Sequence, residues 1–186
     1  MENTLGIKTI PADDYQRVQV LKKYNILNTS PEKSFNNIAR LSAQFFDLPM
    51  AFISFVDTNN VFIKASVGIG EVEIAPRSQS LCTYAILTDE VTVIDDFNNV
   101  DACLGADPLF VAELGYKFYA AAPIITHDAF RIGTLTVIGN ERRQFSEKDI
   151  LLLQGIATIV MDEIELRIKG IKEAEKSLHD ATEPRT

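Results

Sequence analysis

The chain is poor in the residues that thiol and metal chemistry require, with two cysteines and two histidines among 186 residues. Cys82 and Cys103 make neither a metal-ligand pair nor a disulfide framework. His127 sits in a turn and His179 in a tail, so no histidine is placed to activate a serine or cysteine. Basic charge is also scarce. A net charge of −8 runs against the basic stripe that nucleic-acid binding needs, so no nucleic-acid partner is expected. No apolar run approaches the roughly 18–20 residues that span a bilayer, so no membrane partner is expected either. The amino-terminal stretch MENTLGIKTIPADD lacks a basic segment followed by an apolar one and is no secretory signal. These absences point to a cytoplasmic chain with free thiols, in which the sequon Asn28-Thr29-Ser30 has little meaning.

What is present suits one domain with appended helices. The pattern centres on Phe118 to Gly139, two apolar runs joined at Thr126-His127-Asp128. It predicts a hairpin in the middle of a sheet, covered on both faces. Ala120, Ala121, Ala122 and Gly133 should admit a close neighbour, a helix on one side and a ligand on the other.

In chain order, residues 1–11 form a loose leader. Tyr15, Val18, Leu21, Ile26 and Leu27 have near-helical spacing, predicting a helix to about Tyr24. Ser30-Pro31-Glu32 supplies a cap, a first-turn proline and an acid, so a second helix should start there, bury Phe35, Ile38, Ala39, Leu41, Ala43, Phe45 and Phe46, and stop before Pro49. Met50–Val56 and Val61–Val67 predict a second hairpin. Lys64 shares strand parity with Phe62 and Ser66. It either meets an acidic ligand or snorkels from a solvated edge. The loop from Gly68 to Gln79 lacks the Gly-Lys-Ser/Thr of a phosphate loop. Ser80–Leu87 predicts a short helix and Val91–Ile94 a strand. Phe97–Tyr116 reads as an irregular lid with a helical turn at Pro108–Leu114.

Ser146 and Asp149 form a capping pair, with Phe145 and Ile150 at staple positions, opening a helix that runs to about Leu178. Its apolar positions include Leu153, Ala157, Val160, Ile164 and Ile171, stepping by three and four. They predict core contact in the first half and a dimerising coiled coil in the second. The chain divides into a leader (1–11), a domain (12–168), and a helical extension with a disordered tail (169–186).

Several blocks together resemble the GAF domain, in the form found alone or ahead of kinase and cyclase modules in bacterial sensors. They are LKKYNILNTSPEKSFNNIARLSAQFFDLPMAFISFVD, SLCTYAIL, VIDDF, ADPLF, KFYAAAPI and RIGTLTVIG, and the resemblance covers about Gln16 to Arg167. It implies an α+β fold. A central antiparallel sheet of about six strands would have terminal helices on one face, with short helices and the long loop roofing a pocket on the other. Carried over by position, the implied pocket residues are Ser80, Cys82, Tyr84, Asp95, Phe118 and Tyr119. Ser54, Lys64 and Thr136 join them from strand parity. Relatives commonly have histidine where this chain has Tyr84, and phenylalanine where it has Leu81.

Three functions follow from that resemblance. A bilin photosensor would use Cys82 but needs nearby histidines. A methionine sulfoxide reductase of this fold would need an attacking thiol within Tyr116–Ala122, where none stands, with Cys103 as a resolving partner. The third, a non-catalytic sensor, fits best. A small molecule would bind beneath the loop and signal through a homodimeric helical interface to a kinase or cyclase, in trans or within a longer protein. Its rival is a ligand-free dimerisation scaffold filled by Phe62, Tyr84 and Phe118. No cofactor is named by the residues.

Overall fold

The computed structural model describes residues 10–70, 73–95, 97 and 115–182, with the side chains of 180–182 outside the description. Most of the expected lid, with Cys103 and the turn at Pro108–Leu114, lies outside the described residues, as do residues 1–9 of the expected leader. Four α-helices are described: α1 (Asp14–Lys23), α2 (Lys33–Phe45), α3 (Cys82–Ala85) and α4 (Glu147–Thr182), with a 3-10 turn at Arg77–Gln79. The strands are β1 (Met50–Val56), β2 (Asn60–Val67), β3 (Ile74–Pro76), β4 (Thr92–Ile94), β5 (Phe118–Ile125) and β6 (Arg131–Gly139). They form one six-stranded sheet in the order β3-β2-β1-β6-β5-β4, with antiparallel neighbours throughout. The expected α+β sheet is therefore present. Its β5–β6 hairpin is interior and its short edge strand β3 was not expected.

Strand alternation sorts side chains onto two faces. One core joins Ala51, Ile53 and Phe55 of β1, Leu135 and Val137 of β6, and Phe118, Ala120 and Ala122 of β5 to α2 and α4. The other joins Phe52, Val56, Tyr119, Ala121 and Ile138 to Cys82, Ala85 and Ile86 around α3. Ala120 and Ala122 of β5 let α4 lie close to the sheet, while Ala121 faces α3. Gly133 has another reason: a Cβ there would meet the Ser54 carbonyl oxygen at 2.0 Å, so the close approach belongs to β1 rather than to a ligand.

The second helix starts later than Ser30 implies. Glu32 stands at its cap position without capping it, because its carboxylate accepts from Lys64 Nζ at 2.6 Å and Arg167 Nε at 2.9 Å. Ser146 and Asp149 do cap α4, with the Ser146 hydroxyl donating to Asp149 Oδ2 at 2.7 Å and accepting the Asp149 amide at 3.2 Å. Leu41 and Phe45, expected to be buried by the second helix, are exposed, as is Tyr15 of α1.

Along α4 the two halves differ. Leu153, Ala157, Val160 and Ile164 are buried against the chain's own sheet, so they offer no surface to a second copy. The core contact expected of the first half is therefore present, but these four residues cannot also form the expected dimerisation seam, and only Ile171 of that set is partly exposed. A parallel stripe of Leu152, Ile159 and Leu166, seven residues apart, faces outward at 39%, 54% and 63% exposure. From 172 to 179 every residue is exposed, so the helix outruns the sheet.

Candidate functional site

The face opposite α2 and α4 carries a buried row of hydroxyls. Ser54 on β1 stands across from Thr134 on β6, and their oxygens lie 2.9 Å apart. Thr134 in turn is 3.0 Å from Thr136, two residues along the same strand face. All three are fully buried. The row continues to Tyr119 on β5, which is 2% exposed. The Cys82 thiol of α3 and the Thr136 hydroxyl are the neighbours of its phenol, yet neither stands in hydrogen-bonding geometry and the oxygen is unpaired. Burial, with the adjacent Cys82, pushes the phenol's pKa well up, so the group stays protonated and available as a donor. A buried unpaired hydroxyl costs roughly 1–3 kcal/mol. Such an atom marks a place where a ligand could supply the missing partner.

Ser54, Thr136, Tyr119 and Cys82 are thus brought together as expected. The other candidates are not. Lys64 points to the helix side, where its ammonium donates to Thr29 Oγ1 at 2.6 Å, the Ser30 carbonyl at 2.8 Å and Glu32. A bulge explains the error. Ser54 pairs with Ile63 and Ile53 with Ala65, leaving Lys64 as the extra residue and breaking the alternation of β2. Phe118 lies in the helix-face core, its ring 5.4 Å from that of Phe145. Its parity is opposite to that of Tyr119. Ser80 starts α3 by accepting the Cys82 amide at 3.3 Å. Tyr84 is buried within α3, and Asp95 is exposed at the end of β4, with its carbonyl accepting the Arg143 amide. Thr134 was not anticipated, although it shares the parity of Thr136.

Two charged networks tie the helices to the sheet. Asp14 of α1 accepts Arg17 Nε at 2.8 Å and both terminal nitrogens of Arg77 at 2.8 Å. Arg17 is fully buried and Arg77 nearly so. Arg17 also donates to the Val56 carbonyl at 2.6 Å, and Arg77 to the Asp57 carbonyl at 3.1 Å. Burial alone would raise the Asp14 pKa, but the hydrogen bonds from Arg77 and Arg17 outweigh it and hold the carboxyl below its ordinary range. In the second network, Arg167 donates to Glu32 and to the Tyr24 carbonyl, while the Tyr24 phenol donates to Glu165 at 2.9 Å. Neither network was foreseen, since both use charged residues that read as surface.

A groove of about 1040 Å³ lies elsewhere, between the α1–α2 connection and the β2–β3 edge, with Asn28, Pro31, Phe62 and Ile74 in its lining. It is open to solvent, and the Lys64 ammonium at its wall is already engaged by the protein. The unpaired phenol favours the hydroxyl row as the site.

Comparison with known proteins settles the family. The sequence profile of the GAF domain matches residues 30–164. The chain belongs to the GAF family. This GAF domain is 30% identical over 155 residues to a cyclic di-GMP phosphodiesterase of Pseudomonas aeruginosa; the match covers 83% of the chain but only 26% of that relative's length. Among solved structures, the GAF domain of an Acinetobacter phosphoenolpyruvate-protein phosphotransferase superposes with a TM-score of 0.60 at 14% identity, covering 84% of this chain and 95% of that one. A type II free methionine-R-sulfoxide reductase of Thermoplasma acidophilum gives 0.59 at 14% identity, covering 77% and 94%. At such identities the likeness is one of fold. Among the described residues no group of three or more potential metal ligands forms, and no helix is long and apolar enough to cross a membrane.

Proposed function

We propose that this GAF domain is a non-catalytic regulatory module. A small molecule binds against the row of Ser54, Thr134, Thr136 and Tyr119, and the change passes to helices that pair across a homodimer. The carrying observation is the unpaired, buried Tyr119 phenol at the end of that row. Hydroxyls both donate and accept, so they suit the amide, carbonyl or hydroxyl groups of a metabolite. The dimer face we assign is Leu152, Ile159 and Leu166, which the chain's own core leaves uncovered. The output is a signalling enzyme, in trans or in the same polypeptide. A kinase or cyclase is one class, and the Pseudomonas relative adds a cyclic di-GMP phosphodiesterase. The setting is the cytoplasm.

A second reading has its own observation. Cys82, Ala85 and Ile86 pack directly with Tyr119 and Ile138, as they would in a scaffold filled by its own side chains. Native mass spectrometry of freshly purified protein separates the two. A mass above that of the polypeptide, lost on denaturation, supports the sensor. A bare mass that no added metabolite changes supports the scaffold. For the reductase alternative, Cys82 is 2% exposed, and turnover of methionine sulfoxide that depends on Cys82 would replace the present reading.

A further inference from the structure

Helix α1 is thinly anchored. Of its ten residues only Arg17, Val18 and Leu21 are buried, and no side chain caps its start. A helix this short is marginal without tertiary support. Its front end is held by charge rather than by apolar area, through the Asp14 carboxylate gripping Arg17 and Arg77. That cluster is imperfect, since Arg17 Nη2 and Arg77 Nε are buried without partners. Two guanidiniums share one carboxylate, so the cluster falls apart when the carboxylate is lost. The back end of α1 is held separately, by Arg167 on the Tyr24 carbonyl and by the Tyr24 phenol on Glu165. Immediately beyond it, Asn25 adopts the left-handed conformation at φ 47°.

Arg77 is the junction between this helix and the hydroxyl-row face. Its side chain holds Asp14 and the carbonyls of Asp57 and Thr58 at the β1–β2 turn. Its own carbonyl accepts the Thr83 hydroxyl at 2.6 Å. Thr83 belongs to α3, beside Cys82, which packs over Tyr119. The chain of contacts Cys82–Thr83–Arg77–Asp14 therefore runs from one face of the sheet to the amino-terminal helix.

We propose that α1 is a releasable strap, latched at its front by the Asp14–Arg77 pair, and that α3 holds the latch closed through Thr83. Whatever shifts α3 loosens the latch, and the front of α1 lifts away while the Tyr24 clasp stays made and serves as its pivot. The ligand arm of this device rests on the function proposed above. The latch itself does not, and it is tested without ligand.

Hydrogen exchange of the full chain, read by mass spectrometry, is the test. Asp14→Asn keeps the shape and removes the charge; it should speed exchange across residues 14–23 by about tenfold or more while 147–168 stays as protected as in the parent. Thr83→Val removes one hydroxyl from a nearly isosteric side chain and should speed exchange in both 80–86 and 14–23. Thr83→Val loosening 80–86 but leaving 14–23 untouched would overturn the link. Faster exchange in every segment with Thr83→Val would show a general core contact instead of a latch, and would equally overturn it. If Asp14→Asn does not fold, Thr83→Val decides alone.

Discussion

The Lys64 ammonium and the Glu32 carboxylate meet at 2.6 Å, on the side of the sheet away from the hydroxyl row. Lys64 is 3% exposed and Glu32 32% in their side chains, and Arg167 completes the cluster from α4. The pair pins the α1–α2 connection to β2 and leaves Lys64 no part in ligand recognition. Glu32→Ala should cost about 1–3 kcal/mol, because a buried ammonium loses its counter-charge while Thr29 and the Ser30 carbonyl still accept from it. Urea denaturation checks this, and a change below about 0.5 kcal/mol would count against the assignment.

The pH dependence follows from the same carboxylate. Burial alone would raise the Glu32 pKa, but hydrogen bonds from Lys64 and then Arg167 bring it below the ordinary 4.5. A depressed folded-state pKa stabilises above the unfolded value and ceases to do so as pH falls through the folded one. Asp14 shifts the same way from 3.8. Stability should therefore hold down to about pH 5 and decline below it. In Glu32→Gln the decline should be shallower, as measured by thermal denaturation across pH 3–6.

Gly133 faces β1 so closely that a Cβ would stand 2.0 Å from the Ser54 carbonyl oxygen and 2.9 Å from a Phe55 ring carbon. Backbone cannot give way as a side-chain tip can. Gly133→Ala should lose at least about 2 kcal/mol and disturb the hydroxyl row through Ser54. Equilibrium unfolding is the check, and a neutral variant would mean that the strands part without penalty.

Two apolar stripes run along α4, and only one is free. Ile159→Asp should abolish self-association in analytical ultracentrifugation and leave the fold intact. Ile164→Asp should unfold the chain by burying a carboxylate in the core, where Ile164 is 0% exposed. A folded Ile159→Asp protein that still dimerises would remove the assigned face.

How legible the molecule is from its sequence varies with the local rule. Ser54 and Thr136 are legible because β1 and β6 alternate cleanly between faces where they stand, whereas Tyr119 comes from the family resemblance, which also places Phe118, its neighbour of opposite parity, on the same side. Lys64 is misplaced because its face is read together with Ser66. The bulge at Lys64 carries Ser66 to the hydroxyl-row face while Phe62, paired with Phe55, and Lys64 stay on the helix side, and nothing in the sequence around it marks the bulge. For α4 the period is right but the stripe is wrong: three-and-four spacing describes a core-facing stripe and a partner-facing stripe equally well. Leu152, Ile159 and Leu166 keep seven-residue spacing too, and only the sheet decides which stripe it covers. Arg17 and Arg77 could not be found by pattern, since a buried arginine owes its burial to Asp14 and to carbonyls far along the chain.

The central claim is that the hydroxyl row receives a ligand, and Tyr119 gives its sharpest handle. Without ligand, Tyr119→Phe removes an unpaired buried oxygen and should leave stability unchanged or raise it by up to about 1 kcal/mol. The decisive measurement is a thermal-shift screen of one metabolite library against the parent and Tyr119→Phe side by side. Binding to the native state alone raises the melting temperature. The account predicts at least one compound that stabilises the parent and has lost most of that effect on Tyr119→Phe. A library that moves neither protein, or one that moves both equally, would contradict it.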